Sequence, residues 1–480
     1  MKKFDKHLII LIVIIFLASY SRLTNLTYPI WPDEALYAKV AENLYSGKGL
    51  TFHGNLFYYQ PPFFILTVAL SYVLLGISET SARIVGPLFG ILGIIAVYYL
   101  GKYLYNEKVG IIAAFFLGVT PVHWFLSRMI LTDIPLTTLI TLAILFFYIS
   151  TERDRRYTWV AGILVGLVCL TKRVGPIIYL ILGSYLIASE RNLNWIRRKE
   201  LQTIFGISIL LQISWEVIKF AVLKSFLGTP VRNIYSFSSK TQSVGVFTAK
   251  GVFIILKALP FTASKPVLLL VPLGIFFMIK RKKKEHILVT TPVLIFLFVL
   301  MSWYSYMLRH KFVAGVVPRI LVPTVPFLCI ISAYGLYELS TKVDRKQVYS
   351  FFIVSFILFT VVTNAYQGED MIPEWNIYRG YSDVGRWIDQ NTSEDSVLVS
   401  ECRIIYYYSE RNCIKYAPDA AGFQKSLEDT QDDIHLVIHS QNSISPSPPY
   451  VGDYIKEHQD FVHKVATFDT SYSSKAEIYR

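Results

Sequence analysis

Phe63-Phe64-Ile65-Leu66-Thr67-Val68-Ala69-Leu70-Ser71-Tyr72-Val73-Leu74-Leu75-Gly76-Ile77 is an apolar run of about 15 residues that follows Pro61-Pro62. Whether it crosses a membrane decides the face on which every later loop lies. A crossing helix needs roughly 17–25 predominantly apolar residues, so this run suits either a short span or a helix lying along the interface. Eleven other runs reach spanning length with their flanks, near 8–21, 84–105, 109–126, 134–150, 158–172, 174–189, 201–223, 266–280, 287–306, 318–338 and 349–365. If Phe63–Ile77 does not cross, the basic clusters Lys2-Lys3-Lys6, Lys102/Lys108, Arg153-Arg155-Arg156, Arg191-Arg197-Arg198-Lys199, Lys280–Lys284 and Lys342-Arg345-Lys346 all fall on one face. If it crosses, every cluster after the first changes side. Cytoplasmic loops carry the excess of Lys and Arg, which selects the first reading: N-terminus cytoplasmic, loop 22–83 and the segment near 127–133 outside, and the chain ending outside.

Composition points the same way. Of 480 residues, 53% are hydrophobic and 17% charged, with a mean hydropathy of +0.43. Soluble domains average about a quarter charged residues. The formal charge of +13 is spread over short clusters between apolar runs, so it reads as topology and not as a nucleic-acid surface; no aromatic RNA-binding signature or zinc motif is seen. The start, Met1-Lys2-Lys3 followed by Leu8 to Tyr20, is like a signal peptide, but Ala18-Ser19-Tyr20-Ser21-Arg22 is a poor cleavage site. It therefore reads as a retained anchor. Cys169 and Cys329 lie in apolar runs as core residues. Cys402 and Cys413 fall in the polar tail, where an oxidising compartment would permit a disulfide that spacing alone does not establish.

The expected organisation is a transmembrane domain over 1–365, a linker over 366–380 and a small α/β domain over 381–480. In the tail, Ser382–Asp389 reads as a capped amphipathic helix. Ser396–Ser400, His435–His439 and Phe461–Val465 read as strands, and Tyr450–Gln459 as a helix. The polar loop Lys224–Lys265 is of the long kind that is functional or a solvated connector. No internal repeat appears.

Two acidic sites share the outer face in this topology. Trp31-Pro32-Asp33-Glu34-Ala35-Leu36-Tyr37-Ala38-Lys39 puts adjacent carboxylates at the mouth of the membrane. Ionisable residues in such places are functional candidates, although Asp33 also suits the N-cap of the helix that Ala35 begins. Asp133 stands in Arg128-Met129-Ile130-Leu131-Thr132-Asp133-Ile134-Pro135-Leu136.

These stretches, with Gln60-Pro61-Pro62-Phe63 and Ser78-Glu79-Thr80-Ser81-Ala82-Arg83 between them, resemble the ordered motifs of GT-C membrane glycosyltransferases. The group most similar is the protein mannosyltransferase and aminoarabinose transferase family. Gly166–Lys172 and Val317-Pro318-Arg319 to Pro326 echo later motifs. The resemblance covers about residues 1–365. It implies a polytopic α-helical GT-C fold of about 11 transmembrane helices plus juxtamembrane helices, with an extracytoplasmic tail, in the plasma membrane. It further implies transfer of a sugar from a polyprenyl or dolichyl monophosphate to an outer acceptor, whether protein, glycan or lipid, and places the catalytic aspartate at Asp33.

A base at Asp33 would take the acceptor's proton as the new bond forms, and direct displacement should invert the anomeric centre. Asp133 would assist or, with Asp33 and Glu34, hold a divalent cation, since hard cations take oxygen ligands; no metal is expected to be required. The anionic leaving group calls for cations, and Arg83, Lys172 and Arg319 are the matched candidates. Gln60 stands where many members carry a donor-phosphate lysine, and Tyr58 and Tyr59 beside it suit sugar stacking. The alternatives are an Arg83–Glu79 helix pair and snorkelling of Lys172 and Arg319. The rival class is a secondary transporter or lipid flippase. It would want ionisable residues at the midplane of repeated, broken helices, whereas the spans here are nearly free of acids, with Glu216 and Lys219 the main exception.

Overall fold

The computed structural model describes residues 6–52, 55–58, 60–189, 193–223, 258–260, 262–307, 316–342, 357–358, 360–365, 378–400, 403–414, 419–428, 433–439, 447–460, 462–471 and 474–480. These fall into two compact units. One draws on Met1–Thr24, Tyr58–Thr67 and Arg83–Glu369, the other on Asn25–Phe57, Val68–Ala82 and Asp370–Arg480.

The first unit is helical. Among the described residues, Lys6–Leu23, Glu79–Leu104, Asp133–Glu152, Lys199–Val222 and Arg319–Ser340 are long and apolar enough to cross a membrane, at 18 to 26 residues each. At 1.5 Å per residue such helices reach about 27–39 Å, which matches a hydrocarbon core of about 30 Å. Helices are the form that apolar segments take there, because every backbone N–H must find its acceptor within the segment. The protein is thus a multi-pass membrane protein. Several expected spans are broken or short. The 109–126 run is a helix Glu107–Val119 and a second one, Pro121–Leu126, because Pro121 has no N–H to continue the ladder and instead begins a new first turn. The 158–172 and 174–189 runs are helices Thr158–Thr171 and Ile177–Ser189. The 349–365 run and the 224–265 loop lie largely outside the described residues. Phe63–Leu75 is a 13-residue helix, about 20 Å long and well short of a bilayer. It stops at Gly76, whose φ of +80° suits glycine.

Packing within this unit fixes the segment before Asp133. Helix Val85–Leu104 lies against Glu107–Val119 and Asp133–Glu152. A Cβ at Gly86 would run into the Ser127 carbonyl oxygen and sit 2.9 Å from that of Met129, so the missing side chain is what lets residues 127–129 close on the helix.

The second unit joins the loop to the tail. The loop contributes helix Pro32–Tyr45 and a small antiparallel pair, β1 (Thr51–Phe52) and β2 (Asn55–Leu56). The tail forms a five-stranded sheet in the order β4 (Asn412–Ile414), β3 (Val397–Val399), β5 (Ile434–His439), β7 (Ser474–Tyr479), β6 (Lys464–Ser471). β3 is parallel to β4 and β5, with Val397 opposite Asn412 and Ile434; β5–β7 and β7–β6 are antiparallel. The all-apolar Val397-Leu398-Val399 is buried throughout, as a central parallel strand requires. Phe423, from helix Ala420–Glu428, packs with Val399, Leu436, Val451 and Ile455 under the sheet. Helix Arg403–Ser409 lies against Pro32–Tyr45 and against Arg379–Asn391. β4, β7 and helices Arg403–Ser409 and Ala420–Glu428 are additions to the elements expected from sequence. Of the two tail cysteines, Cys402 lies outside the described residues, and the Cys413 thiol donates to the Ser400 carbonyl at 3.2 Å.

His435 on β5 is buried, and burial lowers its pKa from the ordinary 6.5 against the opposing pull of Asp433. Its neutral form is therefore the folded one. Below pH 6.5 the unfolded chain takes up a proton that the folded chain resists, so the sheet should lose stability as pH falls from 6.5 through the depressed folded pKa. Hydrogen exchange at the β5 amides should quicken across that window in the wild type and change little in His435→Gln.

Candidate active site

Three helix ends in the first unit bring the charged candidates together. Asp133 is the first residue of Asp133–Glu152, held after Thr132. Lys172 follows Thr171, the last residue of its helix, in extended conformation. There the Gly175 N–H bonds the Lys172 carbonyl at 2.7 Å, and a Cβ at Gly175 would lie 2.7 Å from Cys169 Cα, so this turn folds tightly back. Arg319 sits in the short helix Val316–Leu321, which passes into a 3₁₀ turn, Val322–Thr324, before Val325–Ser340. Pro323 and Pro326 account for the change of winding, since each lacks an N–H for the α ladder.

Lys172 Nζ donates to Asp133 Oδ1 at 2.7 Å. Arg319 Nε and Nη2 donate to Asp133 Oδ2 at 3.2 and 3.1 Å. The carboxylate is 0% exposed, while Lys172 and Arg319 keep 27% and 19% of their side-chain surface. The result is a buried anion with two cations on its rim, carrying a net charge of +1. Burying a carboxylate costs several kcal/mol unless cations and hydrogen bonds meet it, and here both oxygens are met. The cations are therefore oriented by Asp133 and do not simply snorkel. A divalent cation at Asp133 would have to displace one of them. Among the described residues, no group of three or more His, Cys, Asp or Glu is placed to hold a metal ion.

In the second unit, the Asp33-Glu34 pair divides its work. Glu34 is wholly buried and its Oε2 accepts the Trp31 N–H at 3.0 Å, so Glu34, and not Asp33, supplies the cap of helix Pro32–Tyr45. Asp33 points out, 39% exposed, and its Oδ1 accepts from Arg403 Nη1 at 3.0 Å. A pair so exposed is worth no more than about 1 kcal/mol. One turn on, Lys39 is almost fully buried between Glu410 at 2.6 Å and Glu42 at 2.9 Å; burial works against its charge, but the two glutamates outweigh it and raise its pKa.

Arg83 ends helix Glu79–Arg83 and is completely buried, while Glu79 Oε1 accepts from the Tyr408 hydroxyl at 2.6 Å. Gln60 Oε1 is buried without an acceptor bond from the described protein atoms. Tyr59 lies outside the described residues. Tyr58 stacks on Trp215 at 5.5 Å and 17°. His123 accepts from the buried guanidinium of Arg22 at 3.1 Å, in keeping with a satisfied polar group. Arg403 escapes sequence reading because its partner is 370 positions away; its only local signal is an arginine opening the run Ile404-Ile405-Tyr406-Tyr407-Tyr408.

Residues 59–217 match the family model described as dolichyl-phosphate-mannose-protein mannosyltransferase. The solved structures that the whole chain resembles have the same architecture. One is ArnT from Cupriavidus metallidurans bound to undecaprenyl phosphate, with a TM-score of 0.68, 14% identity, and 98% of this chain and 97% of that one covered. The chain has the GT-C fold of that membrane protein. A second likeness is to the oligosaccharyltransferase AglB from Archaeoglobus fulgidus in complex with an inhibitory peptide and a dolichol-phosphate, at TM-score 0.58 and 13% identity, covering 90% of this chain and 69% of that one. A third is to the mycobacterial arabinofuranosyltransferase AftD, at TM-score 0.58 and 13% identity, covering 98% and 41%. No curated protein matches the chain in sequence.

In this protein, Asp133→Asn should strand two partly buried cations, at a cost of about 3–5 kcal/mol. The double variant Asp133→Asn/Arg319→Gln should be less destabilised than the sum of the single changes. Thermal unfolding in nanodiscs measures both.

Proposed function

We propose that the enzyme transfers a sugar from a polyprenyl or dolichyl monophosphate to an acceptor on the outer face of the plasma membrane, with Asp33 as the base. The observation that carries this reading is the Lys172–Asp133–Arg319 triad: a net positive centre, mostly withdrawn from solvent, on a fold shared with proteins that hold undecaprenyl phosphate and dolichol-phosphate. A phosphate ester leaves as an anion, and preorganised cations stabilise charge that develops in the transition state. Lys172 and Arg319 take that role, with Asp133 positioning them; Arg83 is the third cation.

Asp33 suits a base because it is half exposed at the start of its helix, where an acceptor from solution can reach it. The acceptor hydroxyl attacks the anomeric carbon, its proton passes to Asp33, and the carbon–oxygen bond to phosphate breaks with inversion. No divalent cation is required in this scheme. The N-terminus lies in the cytoplasm and the loop and tail outside, as the basic clusters favour. The acceptor is a protein, glycan or lipid group with a free hydroxyl.

Transfer of radiolabelled sugar from a panel of polyprenyl-phosphate donors should be seen with purified enzyme in lipid. Asp33→Asn should lower kcat by about 10²- to 10⁴-fold while the protein stays folded; full activity in that variant would remove Asp33 as base. Lys172→Gln should lower kcat/KM by about 10- to 100-fold. Chelation with EDTA should leave the rate within about twofold, and a loss restored by added Mg²⁺ would show that a cation is needed.

A further inference from the structure

Helices Thr158–Thr171 and Lys199–Leu223 of the first unit lie side by side, and two glycines set their register. A Cβ at Gly162 would meet Ile204 and Ile207, and one at Gly166 would meet Ser208 and Leu211. The contacts advance together along both segments, so the helices run parallel. Lys172 stands past Gly166 by about 9 Å at 1.5 Å per residue, which is level with Trp215 and Glu216 on the neighbouring helix. Trp215 is 7% exposed and lies nearly flat against Tyr58, also of this unit, with ring centroids 5.5 Å apart and planes 17° apart. Gln60 follows Tyr58 closely in the chain, and its Oε1 is buried with no donor from the described protein atoms. Glu216 pairs through Oε1 with Lys219, whose side chain is 7% exposed, while its Oε2 is buried without a donor. One turn below, the polar groups are spent on one another: Gln212 Nε2 donates to the Tyr179 hydroxyl, which donates to Ser208 Oγ at 2.9 Å.

We propose that Tyr58, Gln60, Trp215 and Glu216 seat the sugar of the lipid-linked donor, and that this sugar is uncharged. The proposal rests on the reading of Lys172 and Arg319 as the cations that meet the donor's phosphate, since a phosphate held there brings its sugar to the height of Trp215. A buried oxygen without a donor is costly to leave unmet, so Gln60 Oε1 and Glu216 Oε2 each call for an O–H or N–H, and sugar hydroxyls supply it. The stacked rings offer an apolar wall for the C–H face of a sugar ring, in the usual manner of small-molecule sites, which combine apolar lining with a few placed polar groups. Charge decides the class of sugar. Glu216 is already balanced by Lys219, so the seat is neutral, and an ammonium on the sugar would add an unpaired charge in a place withdrawn from water. A ring of hydroxyls adds none. At Asp133, where the ion pairs serve to position cations, both carboxylate oxygens are met; at Glu216 one is left for a ligand.

The test is equilibrium binding of radiolabelled lipids to the full-length protein in nanodiscs. The probes are decaprenyl phosphate, its mannose, glucose and arabinose esters, and its aminoarabinose ester. At least one neutral ester should bind wild type about 10-fold more tightly than bare decaprenyl phosphate, and the aminoarabinose ester should bind no more tightly than the bare lipid. Trp215→Leu and Gln60→Ala should each bring the preference for the neutral ester close to one while leaving the affinity for bare decaprenyl phosphate within about twofold. Lys172→Gln should weaken all the lipids alike and keep the preference. Tyr179→Phe loosens the same pair of helices one turn below and should change neither quantity by more than about twofold. A preference kept in both Trp215→Leu and Gln60→Ala would overturn the proposal, as would a matching loss of bare-lipid affinity, which would make these residues supports of the phosphate site. Tightest binding of the aminoarabinose ester would overturn the uncharged sugar. If Trp215→Leu fails to fold, Gln60→Ala decides on the same readout. A wild type that binds bare decaprenyl phosphate as well as every ester would overturn this proposal alone; one that binds no lipid phosphate would bring down the phosphate reading with it.

Discussion

A charged carboxylate wholly removed from water must be met by cations or hydrogen bonds, and the Asp133 arrangement is built around that requirement. One oxygen is met by Lys172 and the other by Arg319, which obliges three chain segments, far apart in sequence, to end at one place. The neighbouring features follow from it: glycine at 86 so that residues 127–129 can close on a helix, a tight turn at Gly175 behind Lys172, and a proline-directed change of winding after Arg319. The same requirement shapes the chemistry. Two cations balanced by one anion leave a net positive charge in a place largely withdrawn from solvent, where an anionic group gains more than it would in water.

The loop and tail obey a different rule. Among the described residues, their contacts are half-exposed polar pairs and aromatic edges, with a buried ion cluster at Lys39. Packing of this kind holds two segments in register yet lets individual contacts at its margin open, because each marginal pair contributes little. That combination suits the role proposed for Asp33, a carboxylate that an acceptor would have to reach. It also explains why the tail packs with the loop in one unit although more than three hundred residues separate them in the chain.

Much of this could be read from residue order. The apolar runs, the distribution of basic clusters and the sequence of motifs pointed to a GT-C membrane enzyme, and the full-length likeness to ArnT has that fold. Asp133, Lys172 and Arg319 were each singled out, but only as separate candidates, since nothing in their local sequence says that they share one hydrogen-bonded centre. Glu34, a catalytic candidate by its place beside Asp33, also caps its helix, because the first turn leaves the Trp31 N–H in need of an acceptor. Strand β4 is three residues long and lacks a periodic pattern, so it forms only where β3 offers a parallel edge.

Sequence by itself determined what is local or statistical: which segments are apolar enough for a membrane, where prolines and glycines interrupt them, and which charges stand near their ends. Hydrophobicity and backbone chemistry act residue by residue, so they are legible in order along the chain. Tertiary structure alone decided which charges meet. The partners of Asp133 lie 39 and 186 positions away and that of Asp33 lies 370 away. Ion pairing depends on distance in space and on the solvent around it, and neither is written in the spacing of residues.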